Sequence, residues 1–528
     1  MKKKLIVAVL TGLLLSFGGC GAAETVPSGT PTDVEDTNAG ISTDTQSTGE
    51  AGTTVDVQTP EVADVPQYLD VELNYFGDSC YEDIYLMYGH YNTICLNSRE
   101  YPALSRAVDA YNQEKEKQSG AYLEELKQRA RDEYQQYGAE MFMGPFVAEK
   151  DMYLRRADNR VLSVVESCYS YEGGAHGNQY YTAVNFDVAT GENLELESVI
   201  KDMEGLPAAL ALEVHTKYPD MAAWGDNLLH LLQGYLTEYR QFITWTVDYQ
   251  GVTFYFSDYE LGAYADGTQE VTITYKKYPE LLNEMYFADV EETYVMDLPE
   301  HWASSDLDLN EDGVTESVSV TDGTYNPGWG GYESFDVTVN GNTFTMEDYY
   351  YNLWVDFVKA NGKNYLYVRR SKDNDYQTVS VFEITENSVE YIDDFQNSVS
   401  NFTNSGDFKV LQRIDLLSTY HGEADCFVGE DGMPVEKNGR YTISGEITLT
   451  STMPITAELV DEAGGFLGSE YEFPAGTRFR LMTTDGSSYV DAEADDGQRC
   501  RFYTTSEWPP VVNGMDAESA FEMLYYAG

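Results

Sequence analysis

The sequence predicts an α+β N-terminal domain with a mostly antiparallel sheet, followed by all-β modules. Three observations carry that expectation. In the first half, period-2 strand patterns alternate with stretches whose apolar residues recur every four positions. Beyond about residue 295 helical periodicity nearly vanishes. In its place short strand-like runs, such as Phe335–Val339, Tyr365–Val368 and Val379–Ile384, are separated by Asn-Gly and Asp-Asn turns.

At 528 residues the chain exceeds one core, and length predicts about two to four domains. The charge balance is extreme: 90 Asp and Glu against 32 Lys and Arg, a net −58. Nucleic-acid binding needs a basic face, so that class is excluded. A cationic partner or bound metal ions are compatible with the acidity; so is a simple solubilising role for a secreted protein. The 43 tyrosines suit half-wet sheet faces and contact surfaces alike.

Met1-Lys2-Lys3-Lys4 precedes an apolar run from Leu5 to Phe17, too short for a comfortable membrane span, and Gly18-Gly19-Cys20 follows. This resembles a bacterial lipoprotein signal. It implies a signal peptide at 1–19, lipidation of Cys20, and a protein held by that anchor alone on the extracellular face of the cell membrane. Residues 20–66 are rich in Thr, Ser, Gly, Pro, Asp and Glu, without aromatics or cations, and read as a disordered tether. Five cysteines remain; Cys80 with Cys95, and Cys426 with Cys500, are the pairs to test for disulfides.

Residues 67–290 form the α+β domain. Strands are expected at Tyr81–Tyr88 and Tyr91–Leu96, with Gly89-His90 as their hairpin turn. A helix begins near Pro102, with Leu104, Val108, Tyr122, Leu126, Ala130 and Tyr134 on one face and Gly120 as a candidate break. Strands then run from about Phe146 to Val188, through a corner at Gly173-Gly174-Ala175-His176-Gly177-Asn178. Three glycines in five residues mean positive φ or close backbone approach. Helical segments at Leu206–Tyr218 and Asn227–Thr244 and strands at Val252–Phe256 and Val271–Tyr275 close the domain.

The wording GGAHGN, then NFD and TGE, then FYFSDYELGAYADG, resembles the extracellular domain of RsiV-type lysozyme-sensing anti-sigma factors. The same domain, assigned to domain-of-unknown-function families 4163 and 3298, precedes the catalytic domain of PdaC-type peptidoglycan deacetylases. The resemblance covers roughly residues 67–290. It implies a cationic, cell-wall-active partner such as lysozyme. It does not bring the rest of either family: nothing after residue 290 resembles a deacetylase metal motif, and only four residues precede the first apolar run. The expected function is therefore a non-enzymatic surface binding protein; a peptidoglycan- or glycan-binding scaffold is the alternative.

Two local motifs carry candidate sites. In Asp308-Leu309-Asn310-Glu311-Asp312-Gly313-Val314-Thr315-Glu316, oxygen ligands alternate as they do in loops that wrap Ca²⁺. Asp308, Asn310, Asp312, the Val314 carbonyl and Glu316 are the expected ligands of a structural Ca²⁺. The short spacing resembles calcium loops of integrin-type repeats, within an all-β segment at 291–420; a polar turn is the plainer reading. Phe256 to Gly267 places Asp258, Tyr259 and Tyr264 in a polar, glycine-bearing loop, a contact surface or a cover over the sheet edge. His176 either holds its turn by hydrogen bonds or meets a ligand. Residues 421–528, with two Asp-Gly turns, resemble a bacterial SH3-like barrel.

Overall fold

The computed structural model describes residues 67–526 apart from 99, 220–226, 289, 291, 300–303, 374–375, 397, 401 and 506. The expected signal peptide, Cys20 and the whole of the 20–66 tether lie outside the described residues.

The first sheet has five strands in sequence order: β1 (Val71–Tyr81), β2 (Tyr85–Leu96), β3 (Phe146–Ala157), β4 (Val161–Tyr171) and β5 (Asn178–Asp187). All neighbours are antiparallel except β2 and β3, which are joined through helix α1 (Pro102–Tyr137) and run parallel. Gly89-His90 is not the hairpin turn; it lies inside β2, and the chain turns at Glu82–Ile84. The glycine is there for room. A Cβ at Gly89 would come within 2.7 Å of Leu123 on α1 and 2.4 Å of the Ala148 carbonyl oxygen. Gly120 does not break α1, because Leu104, Val108, Leu123, Leu126 and Ala130 bury the helix on both sides of it. That packing offsets the roughly 1 kcal/mol that glycine costs in a helix.

Helices α2 (Leu206–Lys217) and α3 (Leu228–Glu238) pack on a three-stranded sheet: β6 (Thr244–Val247), β7 (Gly251–Phe256) and β8 (Gln269–Thr274). The helical pattern to Thr244 ends early because β6 starts there, pairing with Tyr255. Tyr153, Val165, Tyr181 and Tyr255 cluster between this sheet and the face of the first sheet opposite α1.

From Tyr294 onward, the regular elements among the described residues are strands apart from one short helix, Ala517–Ala520. A second five-stranded sheet combines β9 (Tyr294–Leu298) with β16 (Leu353–Ala360), β17 (Lys363–Ser371), β18 (Gln377–Thr385) and β19 (Ser388–Phe395). Between β9 and β16 the chain forms a four-stranded sheet from β10 (Ser305–Leu307), β11 (Glu316–Asp322), β14 (Phe335–Val339) and β15 (Asn342–Met346), plus a hairpin of β12 (Tyr325–Asn326) and β13 (Gly331–Tyr332). Alternation along β17 explains the layering. Leu366 and Val368 face a core shared with Phe335 and Val337, while Tyr365 and Tyr367 face one shared with Phe408 and Val410. The five-stranded sheet is thus buried on both faces.

Eleven strands between Ser398 and Tyr503 make the last sheet. The strands of the expected SH3-like barrel continue this sheet, which begins ahead of residue 421. Neither of the two cysteine pairs singled out for testing is bridged: all five described cysteines are free. In the β1–β2 ladder Cys80 is opposite Met87 and Cys95 is opposite Glu72, near opposite ends of the hairpin. Three strands separate those that carry Cys426 and Cys500.

Buried polar contacts cross residue 290. The Leu154 amide donates to Asp297 Oδ2 (2.8 Å), and Lys217 at the end of α2 pairs with Asp306 on β10 (2.7 Å). Within the second five-stranded sheet, Asp297 and Asp356 sit directly opposite each other. Arg369 holds Asp356 at 2.8 Å. Burial first, and then the neighbouring Asp297, push the Asp356 carboxyl up to about 8 against the pull of Arg369. A carboxyl raised on folding stabilises below its unfolded value of about 3.9 and loses that contribution as pH rises through its folded value. Unfolding free energy should therefore fall between about pH 4 and pH 8. Asp356→Asn should flatten that part of the slope in denaturant titrations; an unchanged slope would refute the assignment.

Candidate functional site

The glycine corner and the 256–267 loop meet, although they lie far apart in sequence. β4 and β5 are hydrogen-bonded as far as Ser170 and Asn178, and the chain between them turns through Gly173 (φ 84°) and Gly174 (φ 118°). Gly177 is packed so closely on Tyr169 that a Cβ would lie 2.5 Å from its ring. This fixes where His176 projects. Its Nδ1 donates to the Gly177 carbonyl at 2.8 Å, leaving Nε2 as an acceptor 3.5 Å from the Tyr259 hydroxyl.

The opposing loop leaves β7 and is stitched to β5. The Asp258 amide donates to the Gln179 carbonyl (3.3 Å), the Gln179 amide donates to Asp258 Oδ2 (3.2 Å), and the Tyr181 amide donates to Ser257 Oγ (3.3 Å). These bonds bring Tyr264 onto His176, with ring centres 4.0 Å apart and nearly parallel. Tyr259 is 5.6 Å from Tyr264. All four residues named from the sequence, His176, Asp258, Tyr259 and Tyr264, therefore form one shelf. Tyr259 is 48% exposed and has φ 68°, a conformation that L side chains rarely adopt. Burial raises the Asp258 carboxyl, while the Gln179 amide and His176 pull it down.

The shelf extends onto the half of the first sheet that β6–β8 leave uncovered. Tyr169 lies within electrostatic reach of Tyr264 and Glu149, and Tyr88 within reach of Glu149 and Tyr169. Beyond them His90 Nε2 lies 2.6 Å from Asp151 Oδ1, with Tyr75 stacked on the imidazole at 4.9 Å. Sequence reading missed Tyr75, Tyr88, His90 and Tyr169. No local signal marks them as one surface, because only the pairing of five strands brings them to one face and shows which half of it stays open. Chemically, the shelf offers flat aromatic surface, hydroxyls and carboxylates.

The 308–316 loop is a different arrangement. Its oxygens accept local backbone amides: Gly313 N donates to Asp308 Oδ2 (2.8 Å), Asp312 N to Asn310 Oδ1 (3.0 Å), Val314 N to Asp312 Oδ1 (2.8 Å) and Leu309 N to Glu316 Oε2 (2.9 Å). Asp308 Oδ1 is buried with no hydrogen-bond partner. Burial raises the Asp308 and Glu316 carboxyls. Glu311 turns away to pair with Lys359 at 3.0 Å. The donor set is all oxygen, the ligand type that Ca²⁺ takes, and one of these oxygens is orphaned. Among the described residues, however, no three His, Cys, Asp or Glu side chains converge as a metal cage.

Residues 93–179 match the family model for deacetylase PdaC, and residues 233–276 match that of a protein family of unknown function, DUF3298. The shelf draws on both matched segments: His176 closes the first, and Asp258, Tyr259 and Tyr264 lie in the second. Among solved structures, a DUF3298-family protein from Bacteroides fragilis is 15% identical, with 42% of this chain and 97% of that chain covered and a TM-score of 0.33. A DUF3298-family protein from Pseudomonas aeruginosa is 16% identical, with 42% and 98% covered and a TM-score of 0.27. No curated protein matches the chain.

Glu260 sets the loop's pH behaviour. Its Oε2 accepts the Ser257 amide at 2.7 Å, and burial pushes the carboxyl up to about 7 against that bond. The contribution is full below the unfolded value of about 4.3 and is lost as pH rises through the folded one. Glu260→Gln should abolish this part of the decline in thermal stability between about pH 4.5 and pH 7. A variant that declines as steeply as the native chain would show that Glu260 does not titrate there.

Proposed function

We propose that this chain is a lipid-anchored binding protein of the bacterial cell surface that captures a cationic, cell-wall-active protein such as a lysozyme, with no catalysis of its own. The observation that carries this reading is the stack of His176, Tyr264 and Tyr259, built from both matched segments and partly open to solvent. Tyrosine supplies contact area at low entropic expense, and the net −58 steers a basic partner toward it. Export and anchoring rest on the apolar run and Gly18-Gly19-Cys20; incorporation of labelled palmitate, lost in Cys20→Ala, is the check.

The test uses the full chain immobilised in detergent and a purified lysozyme as probe. The native chain should retain lysozyme at low salt and progressively less as salt rises. Tyr259→Ala with Tyr264→Ala should reduce retention at least about tenfold at an unchanged unfolding midpoint. Equal retention by the double variant, or none by the native chain, would rule out the shelf as a lysozyme site.

We also infer that Ca²⁺ closes the 308–316 loop through Asp308, Asn310, Asp312, the Val314 carbonyl and Glu316. The orphaned Asp308 oxygen supports this. Added Ca²⁺ should raise the melting temperature of the native chain, and Asp312→Ala should abolish the shift; coincident curves with and without Ca²⁺ remove the ion.

A further inference from the structure

β11 and β14 already pair where they meet, with Asp322 opposite Phe335. A hairpin there needs only about two to five connecting residues. Instead the chain makes a longer excursion from Gly323 to Ser334, with β12 and β13 inside it. It carries the sequence Tyr325-Asn326-Pro327-Gly328-Trp329-Gly330-Gly331-Tyr332. Long ordered loops on a rigid sandwich are where binding residues concentrate.

The excursion is built to hold one indole. Gly328 N donates to Asn326 Oδ1 (2.9 Å), and Asn326 Nδ2 donates to Glu333 Oε1 (2.6 Å). Gly330 has φ 79°. A Cβ at Gly331 would strike the Trp329 ring at 2.1 Å and the Tyr350 carbonyl at 2.5 Å, so only glycine lets the indole fold back there. Trp329 then stands perpendicular to Tyr349 (5.9 Å, 89°) and to Tyr351 (5.5 Å, 86°). Tyr332 stacks at 5.4 Å on the fully buried Tyr350, which ties the hairpin to the sandwich. Trp329, Tyr349, Tyr351 and Tyr325 belong to none of the hydrophobic cores, and Tyr325 and Tyr349 are 53% and 43% exposed.

The polar rim selects the occupant. Tyr351 donates to Asp373 (2.6 Å), and Asn326 occupies Glu333. The neighbouring cation, Lys372, lies 4.9 Å above the Tyr349 ring and pairs at 2.6 Å with Asp348, a carboxylate it shares with the buried Arg370, while Asp373 and Glu333 add two further negative charges. The rim is therefore rich in acceptors and acidic, which disfavours phosphate-bearing or other anionic polymers. Aromatic rings match the apolar C–H face of a sugar, and carboxylate and hydroxyl oxygens accept from its hydroxyl and amide edge. We propose that the Trp329 platform is a second binding site, separate from the His176 shelf, and that it takes an uncharged polysaccharide of the N-acetylhexosamine class. Immobilised rings need little further ordering on binding.

The experiment uses the full chain with two uncharged probes, chitohexaose in calorimetric titration and insoluble chitin in cosedimentation. The native chain should bind at least one. Trp329→Ala and Tyr349→Ala should each weaken that binding at least about tenfold while the unfolding midpoint and lysozyme retention stay native. Native binding by both variants would overturn the site, as would failure of the native chain to bind either probe. A concentration-dependent dimer that disappears in Trp329→Ala would assign the platform to a second copy instead. Lysozyme retention is read separately, so failure of the glycan site and failure of the shelf are distinguishable.

Discussion

The fold depends on one buried cation. Arg155 is wholly out of solvent, and its guanidinium cannot shed its proton, so the surroundings must supply the counter-charge. It donates to Asp248 at 2.8 Å and to the Asp297 carbonyl at 2.9 Å. Asp248 in turn accepts from Thr246 (2.7 Å) and Thr253 (2.6 Å). β3, the β6–β7 turn and β9 are thereby fixed to one another through a single planar group. Lysine has no second donor pair to reach both partners. A bulge in β3 between Leu154 and Arg156 lets the next residue be buried too, and Arg156 pairs with Asp158 at 2.7 Å. Breaking such a pair from one side strands a charge, at about 3–5 kcal/mol. The three sheets consequently hold together through polar geometry that tolerates little sliding.

That constraint reaches the shelf. β5 carries one wall and the loop between β7 and β8 carries the other, and the two sheets meet over Tyr153, Val165, Tyr181 and Tyr255. The distance between His176 and Tyr264 is set by this junction and by the Asp258–Gln179 bonds, so the aromatic contact is held in place by the fold itself.

Much of this was legible in the chain. Strand-like runs located β3 to β5, β7, β8, β14, β17 and β18, Leu104 and Val108 marked the helix face, and the glycine corner announced positive φ. His176, Asp258, Tyr259 and Tyr264 stood out singly. What the sequence withheld was non-local. Gly89 looks like a turn until Leu123 is packed against it, and Gly120 looks like a break until a sheet covers both sides. Composition placed boundaries near residues 290 and 420, yet Arg155 with Asp297 and Lys217 with Asp306 cross the first. Cysteine spacing invited two bridges that register and strand order keep apart. Trp329 was overlooked because its neighbours Tyr349 and Tyr351 come from beyond the hairpin.

Local penalties are also unevenly distributed, and their distribution separates the two aromatic surfaces. Within Asp258-Tyr259-Glu260 a tyrosine adopts φ 68° and two carboxyls are raised by burial. Leu261, fully buried, anchors the strained turn from below. Sequences that fold consistently tend to break local rules only where another requirement wins, and persistent strain needs a surrounding structure that overdetermines it. A cover over a sheet edge has no need of an exposed tyrosine held in an unfavourable conformation. At the Trp329 hairpin the positive φ falls on Gly330, and the ring is placed without strain. The shelf is therefore the surface where stability has been given up for shape, whereas the hairpin gains its shape from glycine.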